Sequence, residues 1–181
     1  MKENIYKKLD EWISFKKKVA IATVIKTWGS SPRPEGSQLI INSEGEMEGS
    51  VSGGCVESAV IFEAMEALET GQSKLLEYGV SDGDAFAVGL ACGGRIRILV
   101  EPVGSALPLE ILEELVACRA SRRAVAYCVN VKTQERRLVY QGYEARMCMD
   151  LSGFEEDGQT FVAVHNPPLR LAVVGGVHIA Q

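Results

Sequence analysis

Apolar residues at Ile5, Leu9, Trp12, Ile13 and Phe15 stand among charged neighbours and trace one stripe of an amphipathic helix over residues 3–17. The period then changes. VAIATVIKT (19–27) is rich in β-branched residues and predicts a buried strand. WGSSPRPEGS (28–37) crowds glycines, serines and two prolines together and predicts a loop. QLIINSEGEMEGSV follows as a strand, a turn near Glu44 and Gly45, and a second short strand. CVESAVIFEAMEALETG is the clearest helix, with Val56, Val60, Ala64, Ala67 and Leu68 on one face and Gly71 as its stop.

Farther along, SKLLEYGV predicts a strand, SDGDAFAVGLACGG a loop, and RIRILVEPV alternates into another strand. Pro108 opens a helix that runs to about Ala120. AVAYCVNV and ERRLVYQG predict a hairpin, followed by weaker strands near 143–149 and 160–165. In PPLRLAVVGGVHIAQ a proline pair acts as a linker to a strand over 170–174, which ends in a glycine turn. A dinucleotide-binding βαβ unit begins this way, although Val177 stands where the second glycine of G-x-G-x-x-G belongs. The pattern predicts an α/β (α+β) fold, a mixed β-sheet covered by helices that ends in the first strand of an incomplete Rossmann unit. Residues 1–165 form the main domain, and 166–181 form the linker, first strand and glycine turn.

Length and charge narrow the function classes. At 181 residues the chain is one domain, or one domain plus part of another. Its net charge of −5 argues against nucleic acid as a partner. The short basic runs, Lys16 to Lys18 and Arg122 with Arg123, close predicted helices, where cations meet the helix dipole. No window approaches the roughly 18 apolar residues of a membrane span, and the N-terminus lacks a signal peptide's apolar centre. A cytoplasmic location is therefore expected, with no membrane partner. Five cysteines without C-x-x-C spacing speak against a disulfide framework or a zinc ribbon. Two scattered histidines give no metal site.

Chemistry concentrates in three loops. GSVSGGCVESA (49–59) and GLACGG (89–94) each set a cysteine beside paired glycines, which permit close backbone approach. With a helix starting near residue 55, Ser52 or Gly53 would cap it, and the free N–H groups would favour a thiolate at Cys55 or bind an anion. Glu57 would oppose that charge or serve as a first-turn acid. The alternative is that Cys55 fills space at a tight turn. Cys92 lies before Gly93 and Gly94 at a strand edge, with no helix terminus to activate it. Together the two thiols could hold a soft metal, form a redox disulfide, or deliver sulfur as a persulfide. In GSSPRP, Ser30, Ser31 and Arg33 suit a phosphate or carboxylate, unless the segment is a solvated turn. Cys118, Cys128 and Cys148 read as packing residues.

GSSPRPEGS, GSVSGGCVE, YGVSDGDAFAVGLACGGRIRILVEP and VVGGVHIAQ occur in the order seen in the XdhC/CoxI family, which the chain resembles from about residue 18 to its end. These are accessory factors for xanthine dehydrogenase and carbon monoxide dehydrogenase. The resemblance implies binding of the molybdenum cofactor (molybdopterin), help with its sulfuration by a cysteine desulfurase, and insertion into a molybdenum hydroxylase. It implies a cofactor-binding set of Ser30, Ser31, Arg33, Ser52, Gly53, Gly54, Glu57, Gly93 and Gly94. Cys92 and Cys55 would lie near the molybdenum or the incoming sulfur. Cys55 matches the SGGC form of the CoxI-like branch, whereas Cys92 belongs to the more widely shared CGG motif and ranks above it. Family members also carry a Rossmann domain, here expected to be truncated. No NAD(P) site is expected in this chain, and a homodimer or a separate Rossmann protein is the expected complement. Two other readings remain: a sulfur-transfer or redox enzyme using Cys92 and Cys55, and a docking or dimerisation domain without its own ligand.

Overall fold

The computed structural model describes residues 2–79 and 93–168. Its elements in chain order are α1 (Lys2–Ser14), β1 (Val19–Trp28), β2 (Gln38–Asn42), β3 (Met47–Gly49), α2 (Glu57–Thr70), β4 (Lys74–Tyr78) and β5 (Arg95–Pro102). There follow α3 (Leu109–Ala120), β6 (Val125–Asn130), β7 (Arg136–Val139), α4 (Glu144–Met149), β8 (Gly153–Phe154) and β9 (Thr160–His165). The α+β class holds, and the strands divide between two sheets. One has the order β3-β2-β1-β5-β4 and the other β7-β6-β9-β8. Every strand pair in them is antiparallel.

Burial explains the layering. β1 and β5 lie centrally in the first sheet and are buried on both faces over residues 19–25 and 98–102, because each face is covered there. On one side Ala20, Ala22, Val24, Ile96, Ile98 and Val100 meet Val60, Ala64, Ala67 and Leu68 of α2. On the other, Val19, Ile21, Ile25 and Leu99 meet α1, α3 and the second sheet through Leu9, Trp12, Leu112, Leu115, Tyr127 and Phe161. The outer face of the second sheet packs on α4 through Cys128, Val162, Tyr143 and Met147.

Local signals place the ends of the elements. Gly71 adopts a left-handed φ of 72° and closes α2, as its sequence position predicts. Asn42 Oδ1 accepts from the backbone N–H groups of Glu44 and Glu46, which folds the β2–β3 turn around Gly45. Two expectations differ. α1 ends at Ser14, so Phe15 is exposed and Tyr6 takes its place in the core. Residues 144–149 form a helix rather than a weak strand, because Tyr143 and Met147, four apart, both face the second sheet. The predicted strand over 170–174 and its glycine turn lie outside the described residues.

A buried polar group joins the two sheets. Glu101 on β5 accepts from Arg136 Nε at 2.7 Å and from Tyr127 Oη at 2.8 Å. Nearby, Tyr6 donates to Gln38 at 2.7 Å and meets His165 Nδ1 at 3.2 Å. Tyr6, Gln38, Glu101, Tyr127 and His165 line a cavity of about 20 Å³, enough for one water molecule.

Candidate functional site

β1 delivers the chain to the site at Trp28, where Gly29 turns with φ +68° into the Ser30–Pro34 loop. Ser31 Oγ donates to the Arg33 carbonyl at 2.9 Å and tightens this loop. Thr27 N donates to Glu35 at 3.1 Å, and Lys26 pairs with the same carboxylate at 3.4 Å, which anchors the loop's far end. The Arg33 Nε atom is buried and has no hydrogen-bond partner among the described residues. Such an orphan donor is costly unless a ligand meets it.

Gly94 and Gly53 flank this segment. A Cβ added to Gly94 would stand 2.1 Å from the Ser30 carbonyl oxygen and 3.0 Å from that of Trp28. Gly94 also lies against Gly29, whose added Cβ would stand 3.6 Å from its Cα. On the other side, a Cβ on Gly53 would stand 3.7 Å from Pro32. Residues 29–32 therefore sit between Gly53 and Gly94, and glycine at 94 is required by space. Gly94→Ala is expected to destabilise the fold by about 1–3 kcal/mol by forcing two backbones apart. Urea denaturation would measure this, and an unchanged midpoint would contradict the close approach.

The start of α2 is organised differently from expectation. The helix begins at Glu57, so exposed Cys55 precedes it and lies outside its first turn. The Glu57 side chain folds back into the loop and is almost fully buried. It accepts from Ser50 Oγ at 2.8 Å and from the backbone N–H groups of Val51, Ser52, Gly53 and Gly54 at 2.9–3.2 Å. Ser52 Oγ also donates to Glu57 and accepts from Val56 N at 2.9 Å, so Ser52 caps the helix one step removed. Positive φ at Gly53 (78°) and Gly54 (111°) aims these amides inward. Burial alone would raise the Glu57 pKa, but the bonds from Ser52, Ser50 and the backbone outweigh it and hold the carboxyl at about 2. The amides expected to receive an external anion thus serve the chain's own carboxylate.

Cys92 lies outside the described residues. Gly93, next to it, is exposed with φ +71°, and among the described residues no atom lies within 4 Å of where its Cβ would stand. Of the cysteines read as packing residues, Cys118 and Cys128 are buried, whereas Cys148 is exposed. Ser30, Pro32, Gly53 and Gly94 thus lie together, and Arg33 belongs to the same loop as Ser30 and Pro32.

Residues 12–79 match the family model described as the XdhC and CoxI family, and they include the Ser30–Arg33 and Ser52–Glu57 loops. The chain belongs to this family. Among its relatives, the XdhC and CoxI chain is 33% identical over 140 residues to the molybdenum cofactor insertion chaperone PaoD of Escherichia coli K12. That alignment spans 77% of this chain and 42% of PaoD. A protein of Bacillus subtilis 168 described as a probable xanthine dehydrogenase subunit is 26% identical over 133 residues, across 72% of this chain and 40% of the relative. A crystal structure described as a xanthine dehydrogenase from Bacillus halodurans shares the fold, with a TM-score of 0.69 and 22% identity. It matches 90% of this chain and 52% of that one, so the chain spans about half or less of each of these proteins.

Sequence reasoning missed the surface next to this site. Trp28 and Arg95 flank Gly29 and Gly94 directly, and both are exposed. The signal was present as RIR after GG, an alternation that puts two arginines on one face of a strand.

Proposed function

We propose that this chain is a carrier domain for the molybdenum cofactor, which accepts it, shields it and releases it to a molybdenum hydroxylase. The observation that carries the reading is the buried Arg33 Nε, without a partner among the described residues, in the loop that lies against Gly53 and Gly94. A pyranopterin presents a phosphate and a flat ring edged with hydrogen-bonding groups. Arg33 and Ser30 fit the phosphate, and the bare backbone at Gly93 fits close approach of the ring. Gly53, Gly54 and Ser52 fit less directly, because Glu57 occupies their amides, so they and Glu57 shape the loop that holds Cys55 at the rim. The kinship with PaoD supports the same role.

The cofactor, when bound, supplies the molybdenum and its dithiolene sulfurs. The chain's own contribution is to hold the anionic end, cover the ring, and place Cys55 and Cys92 as thiols nearby. Sulfuration then involves a cysteine desulfurase as the sulfur donor. Exposure of Cys55 makes a persulfide intermediate on that thiol a second reading.

Purification from a host that makes the cofactor tests the proposal. The expected result is pterin fluorescence from the denatured protein and molybdenum by elemental analysis, in stoichiometric amount. Arg33→Ala should lower retained pterin by about tenfold or more, the value of one charge-assisted contact. Chain without pterin, or Arg33→Ala with undiminished pterin, would overturn the assignment. Mass spectrometry after incubation with a desulfurase and cysteine reads the second possibility, as one added sulfur that Cys55→Ser and Cys92→Ser remove.

A further inference from the structure

We propose that the end of the five-stranded sheet around Trp28, Arg95 and Arg97, uncovered among the described residues, is a docking surface for an acidic patch on a partner protein. The strand register puts these side chains on one face. Trp28 is paired with Arg95, Lys26 with Arg97, Arg97 with Glu77, and Leu75 with Leu99. Leu99 and Glu101, on the same face, lie under the second sheet, but that cover does not reach this end. Here Leu75 is 50% exposed and Trp28 is 38% exposed. Exposed tryptophan and leucine beside arginine form an interface composition rather than an ordinary surface.

The patch is also preorganised. The guanidinium carbons of Arg95 and Arg97 stand 5.6 and 5.4 Å from the Trp28 ring centre, so both cations are held against the indole. Glu77 braces them from the other side. It accepts from Arg95 Nη2 at 2.6 Å and from Arg97 Nη2 at 2.8 Å. One carboxylate spanning two guanidiniums leaves several N–H donors free for further carboxylates. Lys26 adds a third cation on the same face, itself paired with Glu35.

Charge selects the partner. The whole chain carries −5, which disfavours an extended duplex of phosphates, whereas a local acidic patch on a folded protein needs to meet only this face. Glu77 already mimics the partner's side of the contact. Trp28 and Arg95 also adjoin Gly29 and Gly94, so a protein seated here stands at the mouth of the loop site. That the partner is the recipient of a carried cofactor rests on the preceding reading; the preference of the surface for acidic protein does not.

The test uses the full chain and a fluorescein-labelled oligo-glutamate peptide, with fluorescence anisotropy and tryptophan emission as readouts. Trp12 is buried, so a change in emission reports Trp28. Saturable binding that weakens with salt is expected, and Trp28→Phe should abolish the emission change. Arg95→Gln combined with Arg97→Gln should weaken binding by about tenfold. Glu77→Gln should strengthen it, because the variant frees both guanidiniums, and a merely damaged fold would not do this. Absence of peptide binding, weaker binding by Glu77→Gln, or tighter binding to duplex DNA would overturn the proposal. So would self-association that sedimentation shows to be lost in the double variant. Pterin content is measured on the same samples. Peptide binding without pterin would sink the carrier reading alone, and pterin without peptide binding would sink this one.

Discussion

Replacing Arg136 by methionine is expected to destabilise the fold by about 3–5 kcal/mol, among the largest effects of any single substitution in this chain. Both partners are buried: the Glu101 side chain is 2% exposed and that of Arg136 is 6%. Their bond at 2.7 Å joins β5 of one sheet to β7 of the other, and Tyr127 on β6 donates to the same oxygen. Removing the guanidinium leaves an ionised carboxylate in an apolar layer, which is worse than having neither group. Burial raises the Glu101 pKa above its usual value, against the pull of Arg136 and Tyr127. An acid with a raised folded pKa costs stability as pH rises through the range between its unfolded and folded values, and costs nothing below it. Without Arg136 that range widens upward. The deficit of Arg136→Met relative to the parent chain should therefore shrink as pH falls from 7 toward 5. Chemical denaturation at both pH values measures this. Glu101→Gln combined with Arg136→Met should recover much of the loss. A methionine variant as stable as the parent at pH 7 would show that the pair does not hold the sheets together.

This pair also shows what was legible in the sequence. Elements with one-sided burial were read correctly: α2 through Val60, Ala64 and Leu68, and α3 from Pro108 onward. β1 was legible as a strand from its continuous β-branched run and β5 from its alternation. The division of the nine strands between two sheets was not legible, since an antiparallel strand carries no mark of which neighbour it joins. Glu101 looks like the polar end of RILVEP, and only the second sheet's placement turns it inward. α4 has six residues, too few for a helical period to stand out from alternation. At the site, the glycines and Arg33 were legible because few residue types tolerate positive φ or close approach. The direction of the amides was not legible. Glu57 stands five residues after Ser52, a longer spacing than the three of a capping box, and its return into the loop depends on both glycines being left-handed.

Glu57→Ala is expected to cost about 2–3 kcal/mol at neutral pH, somewhat less than the full conversion of its pKa shift at roughly 1.4 kcal/mol per unit, because the loop borders solvent. The carboxylate accepts six hydrogen bonds, four of them from backbone amides that have no other acceptor of comparable charge. Glutamine is a poor replacement, since its amide nitrogen would face those same donors. The folded pKa of about 2 lies below the usual 4.5, so this stabilisation is complete above about pH 4.5 and is lost as pH falls toward 2. The difference between parent and variant should follow that window in denaturation measurements. A second consequence separates a filled anion nest from an ordinary turn. With the carboxylate gone, the amides of residues 51–54 become an empty anion site at a helix start. Sulfate should then raise the midpoint of Glu57→Ala more than that of the parent chain, beyond the general stabilisation that sulfate gives both. Equal responses would mean that the amides point elsewhere once Glu57 is lost. A larger response in the variant would fix Glu57 as the internal anion of the loop and leave the Arg33 side of the cleft for an external one.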